Sequence, residues 1–123
     1  MPDNTARVGI VVRTKNRPWF LRRALRDVAA QHYALWRVHV VNDGGDRDEV
    51  DLAIAELPDG VRRRVSVHHH PTSRGRSAAA NEGVRALATE FVILHDDDDL
   101  WHPRFLAATV DWLDTHPEDI GVV

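Results

Sequence analysis

Cysteine is missing from this 123-residue sequence, and with it every disulfide and every thiolate metal site. Long apolar runs are missing too. The N-terminal stretch has no basic start leading into an apolar segment, and "VGIVV" (Val8 to Val12) is too short for a signal-peptide core or a membrane span. Both absences lead to the expectation of a cytoplasmic chain with no membrane span. Three nucleotide or hydrolase signatures are lacking: no Gly-x-Gly-x-x-Gly follows the first apolar run, no Gly-Lys-Ser/Thr phosphate loop occurs, and no Gly-x-Ser-x-Gly occurs. A basic face interleaved with aromatics is also lacking, and the net charge is −3, so nucleic acid is not an expected partner.

What is there suits one soluble domain spanning residues 1–123. The apolar fraction is 43% and the charged fraction 28%, which are globular values. Charge is uneven: residues 1–64 are net positive and residues 65–123 net negative. Such asymmetry can set a polyanion-binding face beside a cation-binding one.

Apolar patterning gives an alternating order. Strands are expected at Val8 to Val12, Trp36 to Val41, "RVSVHH", "EFVIL" and a fifth at "IGVV" (residues 120–123). Helices are expected over residues 18–31, with Pro18 in the first turn and Asn16 near the cap. Others follow in "RDEVDLAIAEL", closed by "PDG", and in "RSAAANEGVRALA" despite Gly83. The last opens at Pro103, with Leu106, Val110 and Leu113 as its stripe. Strands alternating with helices imply a mainly parallel sheet in a three-layer α/β/α fold. Ligands then bind outside the carboxyl ends of the strands. The loops "RTKNRP", "NDGGD" and "HDDDD" all fall on that edge.

Four consecutive aspartates, Asp96 to Asp99, repel one another. A divalent ion offsets that repulsion, and hard ions such as Mg2+ and Mn2+ prefer oxygen ligands shared with phosphates. The alternative is a solvated acidic turn that caps the next helix. Asp43 in "NDGGD" can accept from a nucleobase N–H, or simply belong to a tight turn. Arg17, Arg74 and Arg76 sit near the same edge and suit a diphosphate. His68, His69 and His70 alternate faces if they lie in a strand, so the three cannot all serve one metal.

In series, "VGIVVRTKNRPWFLRRALRDVAAQHYALWRVHVVNDGGD" and "SRGRSAAANEGVRALATEFVILHDDDDLWHP" resemble the family 2 glycosyltransferases of the GT-A fold, a Rossmann-like nucleotide-diphospho-sugar transferase architecture. The resemblance runs from about Val8 to Val123. It implies binding of a UDP-, GDP- or dTDP-linked sugar with Mn2+ or Mg2+, and transfer to an acceptor hydroxyl with inversion. It places Thr14 and Arg17 at the nucleoside, Asp43 at the base and Arg76 at the diphosphate. The family's Asp-x-Asp falls on Asp96, Asp97 and Asp98. Asp98 and Asp96 are the implied metal ligands, and Asp96 and Asp97 the implied holders of the ribose or the metal's waters. Lys15 stands where the family often has an aromatic residue that stacks on the base.

In the family, the acceptor-binding half and its catalytic base follow this region. The expectation is therefore a donor-binding portion with no catalytic base of its own, and with open apolar surface through which it can self-associate. Trp19, Trp101 and Trp112 are read as core or as part of that surface. Two alternatives stand beside it: a non-catalytic nucleotide-sugar-binding module, and a receiver-type signalling domain of similar length and strand alternation.

Overall fold

The computed structural model describes residues 6–121. Four strands form one parallel sheet: β1 (Val8–Thr14), β2 (Trp36–Asp43), β3 (Val65–His70) and β4 (Phe91–Asp96), in the order β3-β2-β1-β4. Helices α1 (Pro18–Ala29), α2 (Arg47–Ala55), α3 (Asp59–Arg62), α4 (Arg76–Leu87) and α5 (Phe105–Thr115) connect and cover them. The expected α/β class with a parallel sheet is what the chain adopts.

The central strands are buried on both faces, which is why they read as unbroken apolar runs rather than as alternations. One face carries Val8, Ile10 and Val12 of β1 with Val38 and Val40 of β2. Leu21, Leu25 and Val28 of α1, Val50 of α2, and Leu106 and Val110 of α5 pack there. Val11 and Val41 point the other way and meet Ala79 and Leu87 of α4. The helices thus lie on both sides, giving three layers. Among the described residues, no helix is long and apolar enough to cross a membrane.

Several boundaries differ from expectation. β1, β2 and β4 each run two residues further, into Thr14, Asp43 and Asp96, because parallel pairing continues through Thr14↔Asn42, Asp43↔His70 and Arg13↔Asp96. Asn16 lies beside the N-cap residue Arg17, near the cap as expected, but its side chain is used elsewhere. Its φ is 53°, and its Oδ1 accepts from the backbone N–H of Asp46, 3.1 Å away in the turn after β2. "PDG" does not simply stop a helix, since the carbonyl of Pro58 accepts from the N–H groups of Val61 and Arg62 and starts the single turn α3. Pro103 lies before α5 rather than in it. Its carbonyl accepts from His32 N–H at 2.8 Å, so it is committed elsewhere and the helix begins at Phe105. Ile120 and Gly121 are not strand, and Val122 and Val123 of the expected fifth strand lie outside the described residues. Trp19 and Trp112 are exposed rather than core, whereas Trp101 is half-buried against His95 and Phe105.

Candidate functional site

From β1 the chain passes through α1 to β2, then outward to β3. It returns through α4 to β4, on the other side of β1. The strand order therefore reverses between β1 and β4, and the crevice at their carboxyl ends is where such sheets bind ligands. Thr14 ends β1 and Asp96 ends β4, so both flank it.

Asp97 is the buried centre of this crevice. Its Oδ2 accepts from the Thr14 hydroxyl at 3.3 Å, and its Oδ1 lies 3.2 Å from Nη1 of Arg17. Burial pushes the Asp97 carboxyl up, against the pull of the Arg17 guanidinium and the Thr14 hydroxyl. The neighbouring charges of Asp98 and Asp96 add to the rise. Arg17 also reaches Asp98, with Nη2 3.8 Å from its Oδ2. Thr14, Arg17, Asp97 and Asp98 are thus brought together.

Asp96, Asp98 and Asp99 are exposed around that centre, and one carboxylate oxygen from each lies within 4.8 Å of the others. A tight turn produces this: the Asp99 N–H donates to the Asp96 carbonyl at 3.0 Å, and the Asp96 N–H donates to Asp99 Oδ2 at 3.3 Å. The donor set is all oxygen and open to water, which fits Mg2+ or Mn2+. Asp98 and Asp96 are the expected pair. Asp99 is an addition that the sequence reading missed, because spacing alone does not tell which of four adjacent carboxylates fold together.

Arg76 opens α4 and lines a shallow hollow with Arg13, Leu94, His95 and Asp96, so it faces the crevice from the other sheet face. Arg13 was also missed. It lies beyond the apolar run that marked the strand, yet it still belongs to β1.

Asp43 ends β2 on the same edge of the sheet. It is wholly buried, and its carboxylate already accepts from five donor atoms. Arg13 Nη2 and Nε stand at 2.9 and 3.2 Å, Ser73 Oγ at 2.9 Å, and the backbone N–H groups of Arg74 and Gly75 at 2.6 and 3.1 Å. Burial alone would push this carboxyl up. The donated hydrogen bonds outweigh it and hold Asp43 well below the usual carboxylate range. In this arrangement Asp43 pins the loop 73–75. Gly44 allows that packing. Its φ is +88°, and a Cβ there would come within 2.6 Å of Ser73 N. Asn42 braces the same turn through two 3.0 Å bonds with Gly45.

The chain has an α/β fold whose parallel sheet brings carboxylates and arginines together at its reversal point. The solved structures it resembles are GT-A glycosyltransferases. A mannosyltransferase from Pyrobaculum calidifontis, solved with GDP-Man and Mn2+, superposes with a TM-score of 0.76 at 26% identity, over 92% of this chain and 34% of that one. S. aureus TarS (residues 1–349), solved with UDP-GlcNAc, superposes with a TM-score of 0.80 at 20% identity, over 90% of this chain and 32% of that one. Residues 9–123 match the family described as Glycosyl transferase family 2, and the chain belongs to that family. An uncharacterized glycosyltransferase of Bacillus subtilis, YwdF, is 30% identical over 98 residues, 79% of this chain. The chain spans 34% of that relative's length. The family match sets aside the receiver-type alternative.

Proposed function

We propose that this chain is the donor-binding part of a glycosyltransferase that takes a UDP-, GDP- or dTDP-linked sugar and passes the sugar to an acceptor hydroxyl with inversion. The observation that carries the reading is the meeting of Thr14, Arg17 and Asp97 with the exposed carboxylates of Asp96, Asp98 and Asp99 at the reversal point of the sheet. Asp98 and Asp96 hold Mn2+ or Mg2+, with Asp99 beside them. A divalent ion bound there neutralises charge on the diphosphate leaving group. Asp97, fixed by Thr14 and Arg17, positions the ribose or the waters of the ion. Thr14 and Arg17 border the nucleoside, and Arg76 faces the diphosphate from the α4 side. Asp43 borders the base side of the pocket, as the sequence led one to expect, and pins residues 73–75 there. No residue of the chain is assigned as the acceptor's base. A nucleotide-sugar-binding module without transfer is the second reading, since the groups gathered in the crevice are all assigned to the donor side.

Calorimetric titration of UDP, GDP and dTDP, each with and without Mn2+, tests the proposal. One nucleotide is expected to bind with metal, and Asp98→Ala to weaken it at least about tenfold, as loss of a metal-site group does. Absence of binding by all three with Mn2+ present, or an unchanged affinity in Asp98→Ala, would overturn it. Transfer assays with the same donors then separate the enzyme from the binding module.

A further inference from the structure

We propose that His68, His70 and Glu82 form a second cation site, distinct from the aspartate turn and suited to a borderline ion such as Zn2+. Alternation along β3 puts His68 and His70 on the sheet face that α4 covers, and Glu82 descends from α4 opposite them. Nδ1 of His68 lies 3.5 Å from Glu82 Oε1, and Nε2 of His70 closely contacts Glu82 Oε2. One ligand atom from each residue lies within 4.8 Å of the other two. His69 faces the opposite way and is engaged with Asn42 and Asp51.

The donor set selects the ion. Two imidazoles and one carboxylate are a zinc set with a fourth position open, whereas the all-oxygen aspartates favour Mg2+ or Mn2+. The His68 side chain is 55% exposed, which gives an entry path, and that of His70 is 1% exposed, which holds one ligand still.

The second nitrogen of His70 supplies an independent observation. Nδ1 is buried without a hydrogen-bond partner and lies 3.5 Å from Asp43 Oδ1. A ligating histidine commonly turns its other ring N–H toward a carboxylate, which fixes the tautomer and the ring. With Nε2 given to a cation, the proton resides on Nδ1, facing Asp43. The same Asp43 pins Ser73, Arg74 and Gly75, so an ion here ties β3 and α4 to one wall of the candidate donor pocket. The site does not rest on the nucleotide-sugar reading.

The test is calorimetric titration of Zn2+ into the metal-free, tag-free chain. One saturable equivalent is expected, weakened at least about tenfold by His68→Ala and by Glu82→Gln, and unchanged by Asp98→Ala or by excess Mg2+. His68 is exposed, so its substitution leaves the core intact, and circular dichroism checks this. Co2+ in the unsubstituted chain gives a readout that needs no variant, a visible spectrum of nitrogen and oxygen coordination. Lack of saturable Zn2+ binding, affinity unmoved in both His68→Ala and Glu82→Gln, or loss of binding in Asp98→Ala would each overturn the proposal.

Discussion

At the scale of single residues, the two buried aspartates of the crevice carry opposite signs. Asp97 is pushed up by burial, so the folded state holds its proton more tightly than the unfolded chain does. Stability therefore falls as pH rises from the ordinary carboxylate value of about 3.9 through the raised one. Asp97→Asn removes that cost. The variant should be more stable at neutral pH by about 1 kcal/mol, a size common when a functional site is relieved. The gain should vanish in acid, where Asp97 is protonated in both states, and melting curves across pH check it. Asp43 is the reverse case. Its carboxyl is held down, so its contribution is present above the ordinary carboxylate value and is lost as pH falls below it. Asp43→Asn removes the charge, keeps only one acceptor oxygen and turns an amide NH2 toward donors of Arg13 and the 73–75 loop. It should cost about 3 kcal/mol near neutral pH, measured by urea unfolding.

At the scale of elements, the apolar pattern gave the existence and order of the four strands and failed at their ends. Thr14, Asp43 and Asp96 are polar, so periodicity stops before them, while backbone pairing does not. The failure falls at the candidate site, where strand ends carry polar groups rather than packing. For the same reason the crevice was legible as motifs, but the partners of Asp43 and the part of Asp99 were not, because both depend on how loops close. The His68–Glu82 pairing was hidden too, since its members are fourteen positions apart on different elements. Gly83 looked like a mere weakness of α4. A Cβ there would stand 2.6 Å from Val11 Cγ2 and closer still to Cγ1, so this glycine lets the helix lie against β1. Gly83→Ala gains about 1 kcal/mol of helix propensity, but it overpacks a β-branched core residue at about 1–3 kcal/mol. A net loss of about 1 kcal/mol is expected. In a Val11→Ala background the same change should become stabilising, which a double-mutant cycle by chemical denaturation reads directly.

At the scale of the whole molecule, β4 is the unusual edge. It pairs with β1 alone among the described residues, and "FVIL" offers neither lysine nor proline to discourage a second strand. On the α4 face, Val92 is 39% and Leu94 55% exposed, because α4 lies over β1 and β2 and hardly reaches β4. On the other face, a hollow runs between Phe91 and Ile93 of β4 and Phe105, Val110 and Leu113 of α5. An edge that has no second partner among the described residues, with apolar residues on both faces, is a template for a second copy. Light scattering coupled to size exclusion should therefore show the 123-residue chain rising above its monomer mass as concentration increases. Val92→Lys should hold it at 13.9 kDa and its immediate neighbourhood. Val92 is the better position than Leu94, because Leu94 shares the hollow with Arg76 and Asp96 and its change would disturb the candidate donor site. Nucleotide binding should then be the same in Val92→Lys as in the parent chain. A monomer at every concentration in the parent chain would overturn this prediction.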